Sequence, residues 1–155
     1  MTTTPTFEPQ NAHRFFSAGC FNKTWDLLEK AQRSPEEGEQ MLLLSLASLW
    51  HWTQRNDVRP QNLSIGYWQV SRVYAVLGQA QNALWFAERG LAVSENLPPF
   101  FQAYAHEALS RAAALAGDTE RATLERAAAE GILSQITDPE EREALEKDLA
   151  TLPTI

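Results

Sequence analysis

The chain has a single cysteine, Cys20, in 155 residues. No internal disulfide and no paired-cysteine zinc motif can form, which fits a reducing compartment. Cations are scarce as well: 13 Lys and Arg against 20 Asp and Glu give a formal net charge of -7. Phosphate binding needs clustered Lys and Arg, so nucleic acid is not an expected partner. Long hydrophobic runs are also missing. The most apolar stretch, residues 41–52, is broken by Ser45, Ser48 and His51 and falls far short of the roughly 20 residues that span a bilayer. It reads as a buried helix with contacts on more than one side, and no membrane is expected. Met1 to Pro5 lacks a basic segment followed by an apolar one, so no secretory signal is read and a cytoplasmic location is expected.

Catalytic and ligand signatures are absent too. There is no His-Glu-x-x-His, Glu-x-x-His or EF-hand loop, and no Gly-x-Ser-x-Gly, Walker or dinucleotide glycine pattern. No metal, cofactor or catalytic residue is therefore assigned, and a non-enzyme is the favoured reading. Seven glycines and eight prolines leave little room for low complexity, and 44% apolar residues suffice for one packed domain.

What is present is helical period. Residues 1–10, Thr-rich with Pro5 and Pro9, show none and read as a flexible lead-in to a single domain over 11–155. Helices are expected at about 12–32, 35–53, 63–77, 80–95, 100–116, 119–135 and 139–149. Ser34-Pro35-Glu36-Glu37 and Asp138-Pro139-Glu140-Glu141 each combine a capping side chain, a first-turn proline and a Glu three residues on, the signature of a helix start. Asn62 or Ser64 is expected to cap the third helix. Gly78 and Gly117 stand where left-handed caps end the third and fifth helices. Short connections between such helices imply antiparallel hairpins, and the fold class is all-α.

The hairpins repeat. Tyr67 to Gly78 returns 39 residues later as His106 to Gly117, with Ser71-Arg72 answered by Ser110-Arg111. In the first copy Tyr67, Val70, Ser71, Tyr74, Gly78 and Ala83 stand at the spacings of the tetratricopeptide repeat, which the segment resembles. The second copy, His106, Leu109, Ser110, Ala113, Gly117 and Ala122, keeps the small and aliphatic positions without the aromatics. The whole chain also resembles a group of small bacterial tetratricopeptide-like proteins without assigned activity. That resemblance implies about seven helices stacked as a short right-handed superhelix closed by a capping helix. It also implies an interaction platform that receives a protein or peptide.

In such a stack the first helix of each hairpin lines the concave side. The inward positions map onto Trp68, Arg72, Glu107 and Arg111, with Tyr104 nearby. These five form the expected partner-binding groove, in which two guanidinium groups offer bidentate hydrogen bonds to a carboxylate or phosphate. The plainer alternative pairs Glu107 with Arg111 and lays Arg72 over Trp68. A reading from a different class places a small-molecule or enzyme pocket among His51, Trp52, Trp68, Tyr104 and Glu107. It rests on five tryptophans in so short a chain. His51, flanked by Trp50 and Trp52, and His106 both also suit packing, and Cys20 suits a small buried hydrophobe. Exposed apolar edges leave a homodimer open.

Overall fold

Prolines set where most of the helices start. The computed structural model describes residues 7–154, and every regular element among them is helical. In order these are α1 (Pro9–Leu28), α2 (Pro35–Thr53), α3 (Pro60–Val76), α4 (Ala80–Ser94), α5 (Pro99–Leu115), α6 (Thr119–Ile132), a 3-10 turn (Leu133–Gln135) and α7 (Pro139–Ala150). Pro9, Pro35, Pro60, Pro99 and Pro139 each occupy a first helical position, where a missing N–H costs nothing and the fixed φ is already helical. This moves two starts. Helix α1 begins at Pro9 rather than 12, so the expected lead-in is shorter, and residues 1–6 of it lie outside the described residues. Helix α3 begins at Pro60 rather than 63. Asn62 is consequently inside the first turn, where its Oδ1 accepts from the Arg59 N–H at 3.0 Å, while Ser64 is buried and bonds Ser94 at 2.7 Å.

The other ends have local causes. Ser34 accepts from the Glu37 N–H at 3.2 Å while Glu37 accepts from the Ser34 N–H at 2.9 Å, a reciprocal cap. Asp138 receives the Glu140 and Glu141 N–H groups. Gly78 and Gly117 have φ of 75° and 81°, left-handed backbone that only glycine adopts at little cost. Helix α1 stops at Leu28, four residues before the expected 32, because the Arg33 guanidinium takes the carbonyls of Leu27, Leu28 and Lys30 at 2.8, 3.1 and 2.8 Å. Those are the orphan acceptors of a helix end. Helix α6 tightens into its 3-10 turn three residues before the expected end.

Consecutive helices pack on one another in sequence order, with the tightest pairs α1–α2, α3–α4 and α5–α6. Helix α3 also meets α5, and α7 lies on α5. The chain is an all-α stack of helical hairpins. Its 39-residue internal repeat is visible in the hydrogen bonds. Ser71 Oγ donates to the Ala83 carbonyl at 2.9 Å, and Ser110 Oγ donates to the Ala122 carbonyl at 2.8 Å. Each bond ties the first helix of a hairpin to the second at a fully buried alanine. Val70 and Leu109, also 39 apart, are both wholly buried. Alanine at these contacts lets helix axes approach closely.

The first hairpin is tied differently, by Ser48 Oγ to the Ser17 carbonyl at 2.7 Å. Gln69 joins α3 to α1 through the Phe21 carbonyl at 3.1 Å. Helix α2 does not bury its apolar run on every side. Met41 is fully buried, but Leu43 is 61% exposed, because α1 and α3 cover two faces of α2 and leave a third open. At the other end, Leu145, Leu149 and Leu152 recur at helical spacing and are buried against Ala103, Ala129 and Ile136. That apolar stripe seats α7 on α5 and leaves its charged residues outside.

Candidate functional site

The helices of the repeat bring one position of each hairpin together at a buried carboxylate. Glu107, on α5, has no exposed surface. Its Oε2 accepts from the Trp68 indole N–H at 2.8 Å, and its Oε1 accepts from Arg72 Nη1 at 3.1 Å and Arg111 Nε at 2.9 Å. Arg72 reaches on to Asp148 of α7, Nη2 to Oδ1 at 3.3 Å, and its guanidinium carbon stands 5.9 Å from the Trp68 ring. Tyr104 donates its hydroxyl to Asp148 Oδ2 at 2.8 Å. Burial first, then the Asp148 carboxylate, raises the Tyr104 phenol far above its ordinary value, so it stays a donor. Arg111 holds the end of α7: Nη2 donates to the Asp148 carbonyl at 3.2 Å and to Thr151 Oγ1 at 2.8 Å, and Nη1 to the Thr151 carbonyl at 3.3 Å.

Two guanidinium groups thus face two carboxylates. No buried side-chain polar atom among the described residues lacks a partner. The five residues expected in the groove, Trp68, Arg72, Tyr104, Glu107 and Arg111, do come together, but as an internally paired network covered by α7. The arginines are engaged with Glu107, Asp148 and the last carbonyls of α7, so neither presents an open fork to a partner's anion.

Beside this network is a cavity of about 270 Å³ that opens to solvent. Phe21 and Trp25 line it from α1, Ser64, Ile65 and Trp68 from α3, Phe100, Phe101 and Tyr104 from α5, and Ala144 and Asp148 from α7. The rings brace one another. Trp25 and Trp68 lie 5.6 Å apart, and Tyr104 meets Trp68 edge-on at 5.3 Å. Because Glu107 holds the Trp68 indole from behind, that ring is a fixed wall rather than a rotor.

The alternative pocket does not assemble as one site. Trp68, Tyr104 and Glu107 are neighbours, but His51 sits with His13, Nδ1 to Nδ1 at 2.8 Å, and stacks on Phe16 at 5.3 Å. Trp52 lies under the Arg55 guanidinium at 4.1 Å and lines a separate cleft of about 150 Å³ with Phe21 and Ile65. His106 bonds Glu125 of α6 at 2.6 Å. Cys20 is half-buried, and burial pushes its thiol up. Among the described residues, no cluster of three or more His, Cys, Asp or Glu is placed to hold a metal ion. No helix among them is long and apolar enough to cross a membrane.

No family model, no curated protein and no solved structure matches this chain. The site therefore stands on its own geometry. Asp148 and Thr151 are the members that sequence reasoning misses. The Leu145, Leu149 and Leu152 stripe shows that α7 packs somewhere, but nothing local says that it packs over Glu107.

Proposed function

We propose that this chain is a tetratricopeptide-like recognition module that takes a peptide segment of another protein along its concave side. The partner seats one large apolar side chain in the cavity of Trp25, Trp68 and Tyr104. The observation that carries this reading is the cavity itself: an open, aromatic-walled recess whose polar neighbours are already paired with each other. Such a recess rewards an apolar group and offers little to an anion. Its volume of about 270 Å³ lies just under the roughly 300–1,000 Å³ of drug-sized ligand sites, which favours an anchoring side chain over a free small molecule.

Charge describes the flanks of the partner. Helix α7 forms one wall of the cavity and carries Glu140, Glu141, Glu143, Glu146 and Asp148 against Arg142 and Lys147. Lys or Arg beside the apolar anchor complements that wall and speeds encounter. The lone Cys20 suits a reducing, cytoplasmic setting for this binding.

The test is selection of peptides from a random library on the full chain, followed by affinity measurement. Enriched peptides should share a Phe, Trp, Leu or Met flanked by basic residues. Ala144→Trp, which fills the cavity from an exposed position, should weaken them about 10-fold or more, while the distant Leu124→Ala should not. Binding that is indifferent to Ala144→Trp, or selection with no apolar anchor, defeats the reading.

A further inference from the structure

The recess beside Trp68 has a neighbour. A second cleft, of about 150 Å³, is lined by Ala18, Phe21, Asn22, Trp52, Asn62 and Ile65. Phe21 and Ile65 line both hollows, so a single wall parts them. Helices α1 and α3 do not pack closely on each other. They face each other across a groove in which the two hollows lie in series.

The dividing wall and the far side are held in place within the fold. Gln69, almost wholly buried, donates to the Phe21 carbonyl at 3.1 Å and ties that turn of α1 to α3. Trp52 lies under the Arg55 guanidinium, which itself donates to both oxygens of Asp57 at 2.8 and 2.9 Å. No charged side chain lines the second cleft, so it too rewards an apolar group. At about 150 Å³ against about 270 Å³, it suits a smaller one, such as Val or Leu. Hollows already formed need little ordering when they are filled.

Spacing and hydrogen bonding describe the occupant. Ala18, Phe21, Asn22 and Trp25 follow one face of α1 at helical spacing, and the step from Ala18 to Trp25 covers about 10 Å of axis. Two or three residues of extended chain reach about 7–10 Å. Beside the second cleft stand the exposed Asn22 and the half-buried Asn62. Asn62 spends its Oδ1 on the Arg59 N–H, and among the described residues its Nδ2 and the Asn22 amide have no hydrogen-bond partner. An extended segment offers free N–H and C=O groups to such amides, whereas a helix satisfies its own.

We propose that the partner peptide binds through two apolar side chains, two or three residues apart in an extended segment. The larger fills the recess beside Trp68, and the smaller fills the cleft of Phe21, Trp52 and Ile65. This rests on the reading of the first recess as the seat of a peptide anchor. Because the second contact forms within a peptide already bound, it raises affinity without a second encounter.

Peptides enriched from the random library on the full chain test it, each synthesised with its second apolar residue intact or replaced by Ala and titrated by fluorescence anisotropy. Ala18→Trp fills the second cleft from an exposed position, and helical circular dichroism checks that the variant folds. It should weaken the intact peptides about 10-fold and leave the Ala-replaced ones within about 2-fold. Ala144→Trp should weaken both forms. An enriched set with no second apolar residue at that spacing overturns the proposal. So does affinity that is indifferent to Ala18→Trp, or lowered by it equally for both peptide forms. The first anchor survives those outcomes wherever Ala144→Trp still weakens binding. Indifference to both substitutions, or no enrichment at all, removes the anchor itself and this inference with it.

Discussion

The Trp68 indole donates to Glu107 at 2.8 Å, and the two residues hold the same place in successive hairpins, 39 positions apart. With Arg72 and Arg111 on its other oxygen, the carboxylate is the point where α3, α5 and, through Asp148, α7 are held together. Removing it leaves the Trp68 indole N–H without its acceptor and takes the buried anion from both guanidinium groups, with Asp148 the one carboxylate left to Arg72 and only α7-end oxygens left to Arg111. Glu107→Ala should lower the unfolding free energy by roughly 3–5 kcal/mol. Glu107→Gln, which keeps an acceptor for the indole, should cost less. Urea denaturation with an unchanged slope measures both, and a loss under about 1 kcal/mol for the alanine variant contradicts the account.

The matched serine bonds of the two repeats permit a paired test. Ser71→Ala and Ser110→Ala each leave one buried carbonyl acceptor, Ala83 or Ala122, without its side-chain donor. Each should cost about 1 kcal/mol. Because the bonds lie in separate hairpins, the double variant should cost the sum to within a few tenths of a kcal/mol. Thermal melts of the three variants suffice, and markedly unequal single effects count against structural equivalence.

Gly78 and Gly117 have positive φ, and a Cβ built at either meets nothing within 4 Å. Substitution there therefore reports backbone strain alone. Gly78→Ala and Gly117→Ala should each destabilise by about 1 kcal/mol, and asparagine, which tolerates this conformation better, by less. If alanine proves neutral at both, the left-handed caps are not what ends α3 and α5.

Burial, and next the neighbouring His13, hold the His51 imidazole below its ordinary value of 6.5. The folded chain binds fewer protons at His51 than the unfolded chain does. The stability linked to this group is complete above about pH 6.5 and is lost as the pH falls through the lowered value. The nearby charges do not offset this, since Arg14 and Arg55 are both paired with Asp57, at 3.5 and 2.8 Å. Melting temperature followed from neutral pH toward about pH 5 should fall less steeply in His51→Asn than in the unaltered chain. His13→Asn, which removes the imidazole that helps to lower His51, should also soften the fall. Identical acid slopes in all three chains exclude a role for the pair.

Much of the fold is legible because its signals are local. A capping Ser or Asp, a first-turn proline and a closing glycine sit within a few residues of the ends they define, so α2, α4, α5 and α7 fall within a residue or so of the expected limits. The ends that move depend on less obvious donors. Helix α1 is closed by the Arg33 guanidinium, and the start of α3 is set by Pro60 with Asn62 behind it rather than by Asn62 as a cap. In the site, Trp68, Arg72, Glu107 and Arg111 gather because the 39-residue spacing sets them on neighbouring first helices. His51 departs from the expected pocket because its partner, His13, comes from α1. Asp148 and Thr151 are invisible beforehand, since a terminal helix can fold back on any face that accepts its leucines.

The equivalence of Trp68 and Glu107 limits what kind of chain can build this site. In a tandem of identical hairpins the same position would set tryptophan against tryptophan, two donors with no acceptor, or glutamate against glutamate, two buried anions. Only where the copies differ at that one place can the second supply what the first requires. The cavity wall therefore belongs to neither hairpin singly. It is a product of their divergence, and restoring symmetry at position 68 or 107 would abolish it while leaving both helices intact.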